Sequence, residues 1–427
     1  MRRLLVVGAA FAALWCAPGA FASTWCGTGS ATVDRPDVVT GQQIHAIVAL
    51  PADAPDTFVD DANHLQTDVD SINAWWVTQD ATREPRWDVA TYPGGSCLDI
   101  SFVRLPDPTA TYSVATSGQA STTYQRVGGY LRSVGYSSSY KDYLVYVDGF
   151  GEATDPVCGT GAGDFDVGGG FAMVWLRACG VPTDAVAAHE VLHELGALPA
   201  GAPHPCPGDS GHPCDSPTDV LYPYASGGPL TSYVLDFNHD DYYAHSGTWN
   251  DIQDSFFMHL LGVPSVPLNV ALSGGAGDVK SDVPGVDCTA ACTTQWDPQW
   301  HVDLTASPSA RSRFLRWSGA CAGAGDCALT LDAAKNVTAV FGPKFVPVRV
   351  RVSGKGAVAC APRCSTSFLA GSALRLTAHA AKGWKFTGWS GACKGKALVC
   401  RPVTDYALSA HATFKKLPVK KKPKKKR

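Results

Sequence analysis

The feature that most constrains the fold is a tandem duplication in the C-terminal part of the chain. The segment RFLRWSGACAG at 313–323 recurs as KFTGWSGACKG at 385–395. Cysteines and a tryptophan of the first copy, Cys288, Cys292, Trp317 and Cys321, each recur 72 residues later. A fixed period with matched cysteines and tryptophans indicates two copies of one structural unit.

Each copy alternates polar and apolar residues, as in VRVRV at 348–352, which predicts a small β-rich domain. The motifs G-x-G-x-V, C-x-x-x-C, L-T-A and G-W-S-G-A-C are similar to those of the divergent InlB B-repeat family of bacterial surface and secreted proteins. The resemblance covers about residues 268–416 and implies two β-grasp-like accessory modules without catalytic residues, at 266–345 and 346–416. Arg316 stands where the family has glycine.

Charge separates this part of the chain from the part before it. Residues 23–265 contain 8 Lys and Arg against 30 Asp and Glu, whereas residues 266–427 contain 25 against 8. The change falls at a proline-containing stretch, LLGVPSVPLNV, at 260–270. Such a division predicts separate domains, with the first over 23–265.

The two ends of the chain carry signals of their own. Residues 1–22 have two arginines, an apolar run and a final Ala-Phe-Ala, which is the pattern of a cleaved signal peptide. The remaining 14 cysteines are an even number, which favours disulfides in an oxidising compartment. Residues 417–427 are mostly lysine and predict a disordered tail that could attract an anionic cell-surface polymer or merely improve solubility. We therefore expect a secreted protein with no transmembrane segment, and no nucleic-acid partner.

Hydrophobic spacing gives a coarse α+β order for the first domain. It predicts helices near 60–78, 183–195 and 249–261, and strands at 43–50, 98–103, 143–147 and 171–176. Trp75 and Trp76 are interpreted as core residues. Asp-rich loops at 161–170 and 238–247 could bind Ca²⁺, although an acidic surface is the preferred interpretation because neither spacing matches a calcium loop.

The segment HEVLH at 189–193 carries the chemistry of the chain. His189 and His193 lie one helical turn apart, so both imidazoles can bind one metal ion. Glu190 is placed to take a proton from a metal-bound water whose acidity zinc has raised. This pattern predicts a zinc site with a catalytic carboxylate.

Two histidines leave a catalytic zinc site one protein ligand short. His189, Glu190, His193 and Gly196 resemble the extended motif HExxHxxGxxH of metzincin metallopeptidases, but Pro199 occupies the third-ligand position. The resemblance to secreted bacterial metzincin-like enzymes with a longer segment implies a zincin-like fold and assigns the third ligand to His204.

Two alternatives for the third ligand remain open, His212 and Asp215, because a Cys206–Cys214 disulfide would hold their segment near the site. Turn formation is the simpler interpretation of Asp215 and Asp219.

The segment DVLYPY at 219–224 resembles the metzincin Met-turn, with Leu221 where the family has methionine. Leucine is apolar and similar in volume, so it could still form the floor of the site. Tyr222 or Tyr224 could stabilise an oxyanion. Their positions do not match the family's tyrosine, and core packing is the preferred interpretation of both.

These patterns together predict a secreted zinc metalloendopeptidase acting on proteins or peptides. It would consist of a zincin-like α+β domain followed by two repeats. The alternative is a catalytically weak zincin scaffold that binds a cell-surface polymer through its repeats and basic tail. Glu190 favours the enzyme, since a scaffold has no need of a base.

Overall fold

The computed structural model describes residues 24–27, 34–37, 39–93, 95–149, 157–198, 200–224 and 227–418. Contacts divide the chain into two units, with the division between Leu261 and Gly262. The predicted signal peptide lies outside the described residues, as does the predicted tail after Pro418. In the described part of the chain, no helix is long and apolar enough to cross a membrane.

The first unit combines helices with a five-stranded sheet and several short strands. Its elements in chain order are β1 (Gln43–Leu50), α1 (Phe58–Gln79), β2 (Arg83–Pro85), β3 (Val89–Tyr92), β4 (Gly95–Leu98), β5 (Ile100–Arg104), α2 (Ser117–Ser133), β6 (Lys141–Val147), β7 (Gly159–Asp164), β8 (Val167–Trp175), α3 (Thr183–Glu194), β9 (Pro205–Cys206), β10 (Asp209–Pro213) and β11 (Met258–Leu260).

The main sheet has the strand order β5-β1-β6-β8-β7. In this order, β5, β1, β6 and β8 pair in parallel with their neighbours. The edge strand β7 runs antiparallel to β8. Ile44, Ala46 and Val48 of β1 join a core with α1 and α3, whereas Ile47 and Ala49 join a core with α2. Helices thus cover both faces of the sheet, and the mixed architecture agrees with the α+β prediction at this level.

Six of the seven predicted elements are close to those observed, and one is wrong. Helix α1 buries Trp75 and Trp76, as predicted for core residues. The predicted helix at 249–261 is wrong, because the chain there forms a single 3-10 turn at Ile252–Asp254 and then strand β11. Strand β11 pairs with β2, so tertiary pairing overrides the helical spacing of its apolar residues.

Helix α2 was missed by the sequence interpretation. Its sequence contains three glycines and several threonines and serines, which are poor helix formers. The Thr116 side chain accepts a hydrogen bond from the Gln119 amide and caps the helix. Ala120, Val127 and Leu131 then pack into the second core, so burial rather than propensity stabilises this helix.

The second unit is built from strands. They are β12 (Val266–Ser273), β13 (Gly277–Ser281), β14 (Asp287–Cys288), β15 (Cys292–Trp296), β16 (His301–Pro308), β17 (Ser312–Gly319), β18 (Cys327–Thr330), β19 (Lys335–Pro343), β20 (Phe345–Ser353), β21 (Gly356–Ala361), β22 (Ser367–Leu369), β23 (Arg375–Ala380), β24 (Trp384–Gly391), β25 (Val399–Cys400) and β26 (Leu408–Lys416).

The duplicated sequence folds into duplicated structure. One sheet of the first repeat has the order β15-β12-β19-β17, and its counterpart in the second repeat has the order β22-β20-β26-β24. In each, the first and last strands of the repeat pair in parallel. Trp317 and Trp389 are both buried, and their indole nitrogens donate to the carbonyls of Gly325 and Ala397 at 3.1 and 2.9 Å. The β-rich prediction for the repeats is confirmed.

All fourteen cysteines after Cys16 form disulfides. The pairs are Cys26–Cys97, Cys158–Cys179, Cys206–Cys214, Cys288–Cys292, Cys321–Cys327, Cys360–Cys364 and Cys393–Cys400. The predicted Cys206–Cys214 bridge is present. Seven bridges are typical of a protein from an oxidising compartment.

Candidate functional site

Helix α3 places the HEVLH segment against the edge strand of the main sheet. The helix ends at Glu194, and Gly196 follows with a φ of +81°, a left-handed conformation that glycine adopts without strain. Strand β7 has glycine at every second position, and these glycines face the helix. A Cβ at Gly161 would overlap the Glu190 carbonyl, and one at Gly163 would overlap the Glu194 carbonyl. The glycines of β7 therefore allow the backbones of β7 and α3 to approach each other closely.

Three imidazoles converge beside this contact. The Nε2 atoms of His189 and His193 are 3.1 Å apart, and the Nε2 of His212 lies 3.2 Å from the first and 3.1 Å from the second. His212 reaches the pair from β10, in the short hairpin with β9 that the Cys206–Cys214 disulfide closes. The structure thus brings together three nitrogens that no continuous motif predicts.

The ring orientations fit a metal-binding role. The Nδ1 of His189 donates to the Val220 carbonyl at 2.8 Å, because a carbonyl can only accept, and this leaves the Nε2 lone pair free. An Asp209 oxygen lies 2.9 Å from the Nδ1 of His212, a close electrostatic contact without hydrogen-bond alignment. Such outer partners orient the imidazoles that bind metals.

Distances and protonation also fit zinc. Three nitrogens at about 2.0–2.1 Å from one tetrahedral zinc are about 3.3 Å apart, close to the separations found here. Burial, together with the smaller effect of the neighbouring His212, lowers the pKa of His189 to about 4. Burial also moves the pKa of His193 well below its usual value. Both rings are therefore neutral near pH 7, which is the form that binds a metal ion.

Glu190 lies beside the three imidazoles without being one of the converging ligands. It is 6% exposed. Burial raises the pKa of Glu190 to about 8, and a hydrogen bond from the Gly161 backbone partly offsets this effect. A cation held by the histidines would favour the carboxylate form by direct attraction. The site therefore has a buried carboxyl group next to the three converging nitrogens.

His204, the predicted third ligand, lies elsewhere. Its backbone amide donates to Asp241 at 2.9 Å, and its Nδ1 lies 3.2 Å from the same carboxylate. Together with Asp215 and Asp240 these residues form a second cluster of side chains. The β9–β10 hairpin begins immediately after His204 and brings His212 back to His189 and His193 instead. Of the alternatives left open, the geometry favours His212 over Asp215.

The Asp-rich segments differ from the loops expected for calcium. Residues 161–170 mostly form the β7–β8 hairpin. In the segment 238–247, Asp240 and Asp241 belong to the His204 cluster. The calcium hypothesis remains a prediction.

The turn at 219–224 lies next to His189. Asp219 is fully buried, and its carboxylate accepts hydrogen bonds from the Leu221 amide at 2.7 Å and the Tyr242 hydroxyl at 2.8 Å. This confirms a turn-forming role for Asp219. The turn aims the Val220 carbonyl at His189, and Leu221 is fully buried in the same core as α3.

A cleft of about 1180 Å³ opens over the three histidines and Glu190. The Cys158–Cys179 disulfide and Thr160 lie along it, as do Tyr222 and Tyr224. Tyr224 is 75% exposed, so core packing is the wrong interpretation for this residue. Its ring lies in the cleft wall, 6.1 Å from that of Tyr222. The three imidazoles and Glu190 therefore line an open cleft.

Comparison with known proteins identifies the repeats. The Divergent InlB B-repeat domain matches residues 283–344 and 346–417, which confirms the resemblance for this part of the chain. Comparison with curated proteins finds no match.

Among solved structures, the chain is similar to wild-type OgpA from Akkermansia muciniphila. The identity is 11%, the TM-score is 0.29, and the match covers 89% of this chain and 97% of that one. A catalytically inactive OgpA in complex with an O-glycopeptide (glycodrosocin) substrate matches the same shares at 10% identity and a TM-score of 0.26. The major pilin protein T-13 of Streptococcus pyogenes matches 36% of this chain and 97% of that one, at 8% identity and a TM-score of 0.16. TM-scores this low carry no argument about fold or function.

Proposed function

We propose that the first unit is a zinc-dependent peptidase that cleaves peptide bonds by adding water. The observation that carries this proposal is the convergence of three Nε2 atoms at 3.1–3.2 Å, with the carboxyl group of Glu190 beside them, at the floor of a large cleft. Catalytic zinc sites in proteins commonly have three protein ligands and one open position.

His189, His193 and His212 would hold the metal ion. When bound, zinc supplies Lewis-acid polarisation of the scissile carbonyl and increases the acidity of water at the site. The Val220 carbonyl and the Asp209 carboxylate keep the rings of His189 and His212 in place. Metal binding requires that the converging nitrogen of each ring carry no proton.

Glu190 performs the proton transfers. Its carboxylate accepts a proton from the attacking water as the hydroxyl oxygen bonds to the carbonyl carbon. It then returns that proton to the leaving amine nitrogen as the carbon–nitrogen bond breaks. The burial of Glu190 against β7 limits its contact with bulk water. Tyr222 and Tyr224 line the cleft and can contact the substrate chain.

The test is cleavage of an unstructured protein such as casein, and of a mixed peptide library, by the full chain loaded with zinc. Glu190→Gln should lower kcat/KM by about 100- to 10,000-fold, which is the usual contribution of a general base. It should still bind one zinc ion. Glu84→Gln is the matched control, because it makes the same change on β2, does not line the cleft and should preserve activity.

The scaffold alternative makes a different forecast. A polymer-binding scaffold would show no cleavage of any peptide by the zinc-loaded chain, and Glu190→Gln would then change nothing. Cleavage that a zinc chelator abolishes and added zinc restores would exclude it.

A further inference from the structure

The two repeats share a topology but differ sharply in charge. Residues 283–344 contain five Lys and Arg and five Asp, whereas residues 346–417 contain twelve Lys and Arg and one acid, Asp405. All twelve cationic residues are exposed, and none forms an ion pair with another described residue. Asp405 contacts Arg311 of the first repeat at 3.1 Å. The second repeat is thus a folded module with a large uncompensated positive charge.

Part of this charge lies on the outer face of one sheet. Val348 of β20 and Ala410 of β26 point into the core, so the alternate residues Arg349, Arg351 and Lys415 point outward. On the edge strand β24, Lys385 lies directly opposite Lys415. Like charges opposite one another destabilise a sheet. The fold therefore retains a repulsive arrangement that a bound anion would relieve.

The first repeat provides an internal comparison. Strand registers place Asn269 and Ala271 of β12 where the second repeat has Arg349 and Arg351. Likewise Gly342 of β19, opposite Arg313, stands where the second repeat has Lys415. The same fold therefore forms without these three cations, so stability does not require them.

We infer that the outer face of the β20-β26-β24 sheet is a binding surface for an anionic polysaccharide. Arg349 and Arg351 lie about 7 Å apart along β20, and Lys385 and Lys415 lie about 5 Å apart on neighbouring strands. Lys415 is four residues along β26 from His411, the partner of Arg351, so the two pairs of cations are separated by about 13 Å along the strand, which suits a polymer with repeated negative charges. Ser353, Ser409 and Thr413 lie between them and can hydrogen-bond to sugar hydroxyls. The Oγ of Ser353 already bonds the Nε2 of His411 at 2.8 Å, which fixes the imidazole on this face.

Other polyanions fit this face less well. On β20 and β26, the outward residues from Arg349 to Ser353 and from Ser409 to Lys415 are polar or charged, so none of them can enter the acyl region of a membrane. The outward ring there is the His411 imidazole, which is bonded to Ser353, and no Phe, Tyr or Trp ring points outward there to stack with unpaired bases. The exposed pair Phe345 and Leu369 lies beyond these residues, at the start of β20. This inference concerns the second unit alone and does not depend on the proposed peptidase activity.

The test measures binding of the full chain to immobilised heparin at several salt concentrations, with uncharged dextran as the blank. The triple variant Arg349→Asn, Arg351→Ala and Lys415→Gln should bind about tenfold or more weakly at 0.1 M salt and show a shallower salt dependence. The matched control removes three cations from the first repeat, Arg313→Gln, Arg316→Gln and Lys344→Gln. Its affinity should stay within about twofold of the parent.

A second pair of measurements separates the folded face from the tail and from misfolding. A chain ending at Pro418 should still lose affinity when it carries the triple variant. Introducing Asn269→Arg and Ala271→Arg into the first repeat should strengthen heparin binding. Equal heparin affinity of the parent and triple variant would overturn the inference. Tighter binding to phosphatidylglycerol vesicles or duplex DNA than to heparin, at equal anion concentration, would overturn the assignment to a polysaccharide.

Discussion

Replacing His212 by alanine removes one of the three nitrogens that converge at 3.1–3.2 Å and leaves the HEVLH pair intact. Loss of an outer partner of a metal ligand typically weakens metal affinity by about 10- to 100-fold, so loss of a ligand should exceed about 100-fold. At zinc equal to 100 times the parent Kd, binding stabilises the folded chain by about 2.7 kcal/mol. In the variant the same concentration is about one Kd or less, and the stabilisation falls to about 0.4 kcal/mol or below.

The assay compares zinc content after dialysis, zinc Kd by competition with a chromophoric chelator, and thermal unfolding with and without zinc. His204→Ala is the matched control, because it removes one imidazole from the neighbouring cluster. This control should keep one zinc ion per chain and the full zinc-dependent stabilisation. Its zinc-free stability can fall slightly, since the contact with Asp241 is lost.

The assignment of His212 as the third zinc ligand would be wrong if His204→Ala lost zinc while His212→Ala kept it. In that case the hairpin carrying His212 would have to move away from α3 when the metal binds. A chain that binds no zinc in any form would refute the whole site. Both results are read directly from metal content, without any assay of activity.

Two further predictions concern the parts that position the site. Gly163→Ala should lower the free energy of unfolding by about 1–3 kcal/mol in urea titrations, because its Cβ would overlap the Glu194 carbonyl. The control Gly129→Ala meets nothing within 4 Å in a helix and should be neutral or stabilising by up to about 1 kcal/mol, and equal effects of the two would contradict this account. Asp219→Ala should weaken zinc affinity by about 10- to 100-fold, since the turn that aims a carbonyl at His189 loses its anchor. Asp215→Asn should leave zinc affinity unchanged, and a matching loss there would indicate a general electrostatic effect.

The sequence predicted the parts of the site that depend on local geometry. His189 and His193 follow from helical spacing, and their helix ends where Gly196 permits it. The position of the third nitrogen, Nε2 of His212, depends on where the β9–β10 hairpin turns back, and tertiary contacts determine this. The only local indication of His212 was the spacing of Cys206 and Cys214. The resemblance to the extended motif favoured His204 because such a motif specifies only the spacing of residues along the chain. It contains no information about where the β9–β10 hairpin turns back.

The fold was predictable to a similar extent. The buried strands β1 and β6 contain apolar runs at 46–50 and 143–147, and helix α1 has clear periodicity, so both patterns are visible in sequence. Helix α2 was missed because its residues have low helix propensity and are held by packing. The segment ending in β11 was misassigned because its apolar spacing fits a helix, while its partner strand lies far away in sequence at Arg83–Pro85. Neither the helix α2 nor the strand β11 can be recognised from a short stretch of sequence alone.

The parallel pairing of the first and last strands in each repeat determines when a newly made chain can fold. On the parallel side of its strand, Leu268 pairs with Lys335, and Val348 pairs with Leu408. During synthesis, each module must wait for its final strand before its central ladder can close, since the contact spans nearly the whole repeat. A fragment that stops short of the final strand leaves one edge of β12 or β20 unpaired, and an unpaired strand edge can pair with another chain.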